Sequence, residues 1–183
     1  MKTVLIAGGT GYIGQHLENH LTLKGYDVKI LTRTPKNDNH ILWDPTKNII
    51  DKTKCTNIQV IINLCGEGIN NRRWTKKQRQ KLIHSRIDIT KSLHNQVESF
   101  PKLEHYISAS GITAYGFDDG LIEHTEESPY GLDFLSNLVK NWENAADYFT
   151  NKAIVSKLRI AVVLEWRQGA LKQMSKTIGL GIG

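Results

Sequence analysis

Residues 3–14 read Thr3-Val4-Leu5-Ile6-Ala7-Gly8-Gly9-Thr10-Gly11-Tyr12-Ile13-Gly14. Val4 to Ala7 is an apolar run with no polar break, which suits a strand buried on both faces of a parallel sheet. Gly8, Gly11 and Gly14 follow at regular spacing. Ile13, Leu17 and Leu21 then set a helical period that stops at Gly25. Strand, glycine turn and helix in that order predict a dinucleotide-binding turn. Gly8 permits the tight turn, Gly11 lets a pyrophosphate approach the backbone, and Gly14 lets helix and strand pack closely. The helix N-terminus offers N–H groups and a partial positive charge to phosphates. The other reading is a structural glycine turn with no ligand; its place between the right elements weighs against that.

Working outward, Asp27 to Thr32 is the second strand. NAD-selective sites place an acid at its end, where it binds the ribose 2′-hydroxyl. Here the strand runs into Thr32-Arg33-Thr34. Arg33 suits a 2′-phosphate, with Thr32 or Thr34 as donors, so NADP is expected over NAD; a plain surface arginine is the alternative. Residues 35–57 are polar and broken by Pro35 and Pro45, with a short strand at Ile41 to Trp43 ending in a turn at Asp44-Pro45. Gln59 to Cys65 is another buried strand, and its tip, Asn63 to Glu67, should border the cofactor, with Gly66 allowing close approach.

Thr75 is positioned to cap a long helix running to about Ser99. Leu82, Ile83, Ile87, Thr90, Leu93 and Val97 form its sheet-facing stripe. Arg86 lies beside that stripe. A buried arginine needs an anion, and the cofactor phosphates are one candidate; the alternative is an arginine whose stem packs while its head reaches water. His105 to Ala109 is the next strand, ending at Ser108-Ala109-Ser110. A loop rich in glycine and acids follows, then a helix from Leu135 to about Phe149 and a final strand from Ile154 to Leu164. A last helix or turn starts at Gly169. Strands alternating with helices predict an α/β fold with a doubly wound parallel sheet, in one domain over 1–183.

At 183 residues, 39% hydrophobic and 23% charged, the chain has the composition of a globular domain. No apolar stretch is long enough to span a bilayer, and no signal peptide is expected before the first strand. Cys55 and Cys65 show no metal or redox spacing. These features suit a cytoplasmic, reduced protein with no membrane partner. The net charge of +6 raises nucleic acid as a partner. The densest basic run, Arg72, Arg73, Lys76, Lys77, Arg79 and Lys81, lacks interleaved aromatics and reads as a solvated face. His16 and His20 share a helix face without a third ligand, so no metal is expected.

The glycine turn in its Gly8-Gly9-Thr10-Gly11-Tyr12-Ile13-Gly14 form is followed in order by several further motifs. They are Asn63-Leu64-Cys65-Gly66-Glu67, Arg73-Trp74-Thr75, Ser85-Arg86, Ser108-Ala109-Ser110, Tyr115-Gly116, Asp133-Phe134, Trp142-Glu143 and Gly169-Ala170-Leu171. This series resembles the atypical short-chain dehydrogenases, specifically the NAD-dependent epimerase/dehydratase-like group, over essentially the whole chain. The resemblance implies a Rossmann fold that binds NADP(H). Its cofactor contacts would be Gly8, Thr10, Gly11, Tyr12, Ile13, Gly14, Thr32, Arg33, Leu64, Cys65, Gly66, Arg86 and Ser108. Relatives of this kind continue past the position of Gly183, so a substrate-side region is expected to be lacking here, with self-association through the surface it would cover.

Active short-chain dehydrogenases use a Ser, a Tyr and a Lys four residues after it; the lysine lowers the tyrosine pKa so that it exchanges a proton while hydride moves. Ser110 and Tyr130 match the first two, but Phe134 stands at the lysine position. Tyr148 and Lys152 have the spacing but lie too far along the chain. Glu67 is a substitute acid/base, or a carboxylate that orients loop backbone. Two function classes follow. One is an NADP(H)-dependent epimerase or oxidoreductase acting on a small molecule through Ser110, Tyr130 or Glu67. The other is a non-catalytic NADP(H)-binding sensor or partner-binding module, the class to which the cell-division role attached to some members of the group would belong.

Overall fold

The computed structural model describes residues 1–69, 73–117, 120–165 and Leu171. Strand β1 (Thr3–Ala7) lies at the centre, every residue buried. Its neighbours are β2 (Asp27–Thr32) and β5 (Ile58–Asn63), both parallel to it. Outward from β2 come β3 (His40–Asp44), parallel, and β4 (Ile49–Ile50), antiparallel; outward from β5 come β6 (His105–Gly111) and β7 (Ile154–Ile160), both parallel. The seven-stranded order is β4-β3-β2-β1-β5-β6-β7. The direction of the strand order reverses at β1, between β2 and β5, and ligands bind at the carboxyl ends beside such a reversal.

Alternate residues of β1 serve opposite faces. Val4 and Ile6 join Val28, Ile30 and Ile62, with Leu17 and Leu21 packed on them from helix α1 (Tyr12–Leu23). Leu5 and Ala7 join a larger core with Ile58, Ile61, Leu93, Phe100, Tyr106 and Phe149 on the other face. Tyr106 and Phe149 stack there at a ring separation of 3.8 Å. This two-sided burial is why β1 has no polar break. Ile13 was expected on the packed stripe of α1 but is 40% exposed, because α1 reaches the sheet only through its later turns.

Thr75 caps helix α2 (Lys76–Ile83), its hydroxyl accepting from Gln78 N–H at 3.2 Å. The long helix expected from there is not uniform. A π-helical turn over His84–Asp88 separates α2 from α3 (Ile89–His94), and a short 3-10 turn covers Val97–Ser99. The wide turn shifts the helical phase, so Leu82, Thr90 and Leu93 are buried whereas Ile83 is exposed. Helix α4 (Phe134–Ala146) begins on Asp133, whose carboxylate accepts from the backbone of Leu135 and Ser136. The final strand also departs from expectation. β7 stops at Ile160, and a two-residue strand β8 (Leu164–Glu165) follows. β7 edges the sheet, with Ile154 and Leu158 exposed. Arg72, Asp118, Asp119, Gly169 and Ala170 lie outside the described residues.

Candidate functional site

The glycine turn is built as its spacing requires. Gly8 has φ +80°, a conformation that side chains rarely adopt, and a Cβ on it would stand 3.0 Å from the Leu64 carbonyl carbon. Gly11 N–H closes the turn on Gly8 O at 3.0 Å. A Cβ on Gly14 would meet Gly9 Cα at 2.5 Å, so the helix sits directly on the turn's backbone. Gly9 has a role not anticipated in the sequence: its missing Cβ makes room for Ile30, whose Cδ1 would be 2.5 Å away. Gly11 caps α1 without any side-chain bond, which leaves the first turn uncapped by protein groups of that kind and open to an anion.

A cleft of about 1110 Å³ crosses the carboxyl ends of β1, β2, β3 and β5. Gly8, Thr10 and Gly11 line it from the turn, Thr32 and Arg33 from the end of β2, and Leu64, Cys65, Gly66 and Glu67 from the tip of β5. These sequence-predicted residues thus converge. Lys36 adds a second cation near Arg33, and Trp43, Pro45 and Thr46 extend the wall beyond β3. Among the described lining residues Glu67 is the one acid, and Arg33 and Lys36 make the β2 end of the cleft positively charged.

The tip of β5 is held from behind. Asn63, fully buried, donates through Nδ2 to Thr90 Oγ1 (3.0 Å) and Tyr106 OH (2.9 Å) and accepts from Cys65 N–H at 3.1 Å. Burial pushes the Cys65 thiol up to about 12, which makes it an inert wall residue. Glu67 N–H donates to Ser85 Oγ at 2.9 Å, and Arg86 Nη2 donates to Glu67 O at 2.9 Å.

Tyr12, Ile13, Gly14, Arg86 and Ser108 stand outside the cleft lining, as do Ser110 and Tyr130. Tyr12 packs edge-on to His16. Ser108 is buried in β6 and bonds the adjacent Ala109 carbonyl. The Arg86 head donates to the carbonyls of Glu67 and Leu82 and to Ser85 Oγ and lies 5.1 Å from the Trp142 ring. Burial lowers its pKa, and the nearby Glu67 charge partly offsets this. Gly66, expected to admit a ligand, also clears this guanidinium: a Cβ there would be 3.2 Å from Arg86 Cζ.

Ser110 and Tyr130 do meet, on Glu143 of the Trp142-Glu143 motif, a residue to which the sequence had assigned no role. Ser110 Oγ donates to Glu143 Oε1, and Tyr130 OH donates to Glu143 Oε2 at 2.5 Å. Arg159 of β7 grips the same carboxylate with Nε to Oε1 (2.9 Å) and Nη2 to Oε2 (3.0 Å). Its Nη1 reaches Tyr115 OH at 3.0 Å, and its Nη2 reaches Tyr130 OH at 3.2 Å. Burial alone would raise the Glu143 carboxyl; the bonds from Arg159, Ser110 and Tyr130 outweigh it and hold the group below its ordinary value. Phe134, at the lysine position, packs instead against the apolar cluster of Leu82, Leu135 and Leu138. Among the described residues no cluster of three or more His, Cys, Asp or Glu could hold a metal, and no helix is long and apolar enough to cross a membrane.

A mostly parallel sheet with a glycine turn after its first strand and a basic cleft over its carboxyl ends defines a Rossmann-type α/β fold. Within it, the chain belongs to the NAD dependent epimerase/dehydratase family, which matches residues 4–149. It is 33% identical over 184 aligned positions to the Epimerase family protein SDR39U1 of Bos taurus, an alignment covering 98% of this chain and 60% of that protein. The crystal structure of human epimerase family protein SDR39U1 (isoform 2) with NADPH superposes with a TM-score of 0.81 at 31% identity, covering 99% of this chain and 61% of that one. The nucleoside-diphosphate sugar epimerase of Corynebacterium glutamicum gives 0.83 at 29% identity, covering 97% and 38%. The chain thus spans about 60% of the length of the curated relative.

Proposed function

We propose that the chain binds NADP(H) in the cleft and serves an epimerase or oxidoreductase that moves hydride to or from a small hydroxyl or carbonyl compound. The observation that carries this reading is the end of β2. Arg33 and Lys36 line the cleft where an NAD-selective site would place an acid. The uncapped N-terminus of α1 suits the pyrophosphate. NADPH bound by the human relative named above supports the choice of cofactor. On this reading Gly8, Thr10, Gly11, Thr32, Arg33, Leu64, Cys65 and Gly66 line the bound dinucleotide, and Ser110 and Tyr130 serve the reacting end.

The test is saturation binding by both dinucleotides, followed by fluorescence. NADPH is expected to bind at least tenfold more tightly than NADH; equal affinities would overturn the cofactor assignment. Turnover is read separately, as NADPH oxidation or NADP reduction with nucleotide sugars and small carbonyl compounds. Phe134 in place of a lysine favours a second reading, a non-catalytic NADP(H)-binding module. A partner captured only in the presence of NADPH, with no turnover, would select it.

A further inference from the structure

Each oxygen of the Glu143 carboxylate accepts two bonds, one from a hydroxyl and one from Arg159. The carboxylate is 3% exposed and is bonded by Ser110, two residues past the Ser108–Asn63 pairing at the carboxyl end of β5. The Tyr130 oxygen donates its proton to Glu143 and accepts from Arg159. One lone pair remains, which makes the phenol an acceptor for a further hydroxyl.

We propose that the Glu143–Arg159 pair replaces the missing lysine by the opposite route: it keeps Tyr130 a neutral phenol that accepts a proton from a substrate hydroxyl while passing its own to Glu143. This rests on the NADP(H) reading above, which supplies the hydride acceptor. A substrate CH–OH gives its hydroxyl proton to the Tyr130 oxygen as the phenol proton crosses to Glu143 Oε2. The two electrons of the C–H bond leave with its hydrogen as hydride to NADP⁺. The products are a carbonyl, a protonated Glu143 and NADPH; Glu143 gives its proton back through Tyr130, the partly exposed member of the network. Ser110 and Arg159 are positioning residues: they fix the carboxylate, and Arg159 balances its charge until it takes the proton. The substrate class is therefore a secondary or primary alcohol.

The groups facing Tyr130 fit this role. Glu143 and Lys140 approach from α4, with the Lys140 Nζ 5.8 Å from the ring centre. Arg159 approaches from β7, its Cζ 5.1 Å from the Tyr130 ring and 5.0 Å from the Tyr115 ring. Burial, then the bond to Glu143 and the carboxylate's charge, raise the phenol above its ordinary value; Arg159 pulls it down without cancelling them.

The competing account is an ion pair that only ties β7 to α4, with the Tyr130 proton not held by Glu143 in solution. The experiment is an ultraviolet titration of tyrosinate, with wild type minus Tyr130→Phe isolating Tyr130, and the same subtraction made in a Glu143→Gln background. Tyr130 is expected to titrate above ordinary tyrosine, near 10, and at lower pH in Glu143→Gln than in wild type. A Tyr130 that titrates at or below the ordinary value in wild type would overturn the proposal even if Glu143→Gln fails to fold. So would an unchanged titration in a folded Glu143→Gln. NADPH titration of the same samples separates the two levels: a wild type that ignores NADPH sinks the cofactor reading and leaves the phenol result standing.

Discussion

Gly66 and Arg86 fit together as a socket and its plug: a Cβ on Gly66 would lie 3.2 Å from both Arg86 Cζ and Nη2, while Nη2 donates to the carbonyl of Glu67 at 2.9 Å. The arginine thereby fixes, from behind, the loop that lines the cleft. Arg86→Ala is expected to cost about 1.5–3 kcal/mol, the range for a hydrogen bond to a charged group. Arg86→Lys should recover only part, since an ammonium lacks the planar fork. Gly66→Ala should cost less than Arg86→Ala, because the crowded atoms belong to a side chain that can shift. Urea unfolding checks all three; an Arg86→Ala protein as stable as wild type would refute the account.

Gly14 and Gly25 make opposite demands. A Cβ on Gly14 would lie 2.5 Å from Gly9 Cα and 2.6 Å from Gly8 O, both backbone atoms that cannot step aside. Gly14→Ala should cost about 3 kcal/mol, the upper part of the overpacking range, and should weaken dinucleotide binding by displacing the turn. At Gly25, φ is +84° and nothing lies within 4 Å of the Cβ position. Gly25→Ala should cost only the left-handed backbone penalty, about 1–2 kcal/mol, and leave binding unchanged. Thermal melts with paired NADPH titrations distinguish the two.

Arg159 anchors an edge strand through a buried carboxylate. Arg159→Met should cost about 3–5 kcal/mol at neutral pH, since it leaves the buried Glu143 carboxylate without its cation and with only the Ser110 and Tyr130 hydroxyls bonding it. The pH dependence has a fixed sign. In wild type the folded Glu143 pKa lies below its unfolded value, so its contribution is present above about pH 4.3 and is lost as pH falls through the folded value. In Arg159→Met the buried carboxyl loses its cation and its pKa rises, so protonation relieves the variant. The gap between the two proteins should therefore narrow on acidification; denaturant melts at neutral and mildly acid pH measure it, and a constant gap would show that Glu143 is not Arg159's electrostatic partner.

Local chemistry was legible in the sequence, and distant meetings were not. β2 runs over Asp27–Thr32 as read, and Thr75 caps α2 as read, because both follow from neighbouring residues. The π-helical turn at His84–Asp88 has no signature in the spacing of apolar residues, which continues through it. Ile13 keeps helical period yet faces solvent, since periodicity does not say what lies opposite a face. Ser110 and Tyr130 were found by motif, but their common partner stands 33 residues from the first and 13 from the second. One clue was present: Glu143 interrupts the apolar stripe of Leu135, Leu138, Val139 and Trp142 on α4. An acid at such a position requires a buried partner, although nothing local identifies it as Arg159.

Arg33 provides the most direct reading of cofactor choice. It is exposed at the mouth of the cleft just after β2, so a 2′-phosphate can reach it without rearrangement of the core. Lys36 stands on the same stretch but offers a point charge on a flexible stem, whereas a guanidinium matches two phosphate oxygens at once. Arg33→Ala should therefore weaken NADPH by about 1.5–3 kcal/mol, roughly tenfold to a hundredfold, and leave NADH unchanged. Lys36→Ala should weaken NADPH less. Raising the salt concentration should erode the NADPH preference of wild type more than that of Arg33→Ala, because an exposed charge pair is screened. Dissociation constants for both dinucleotides, at two salt concentrations, decide the matter. An Arg33→Ala protein that loses NADPH and NADH in equal measure would show that Arg33 reads a part of the cofactor common to both.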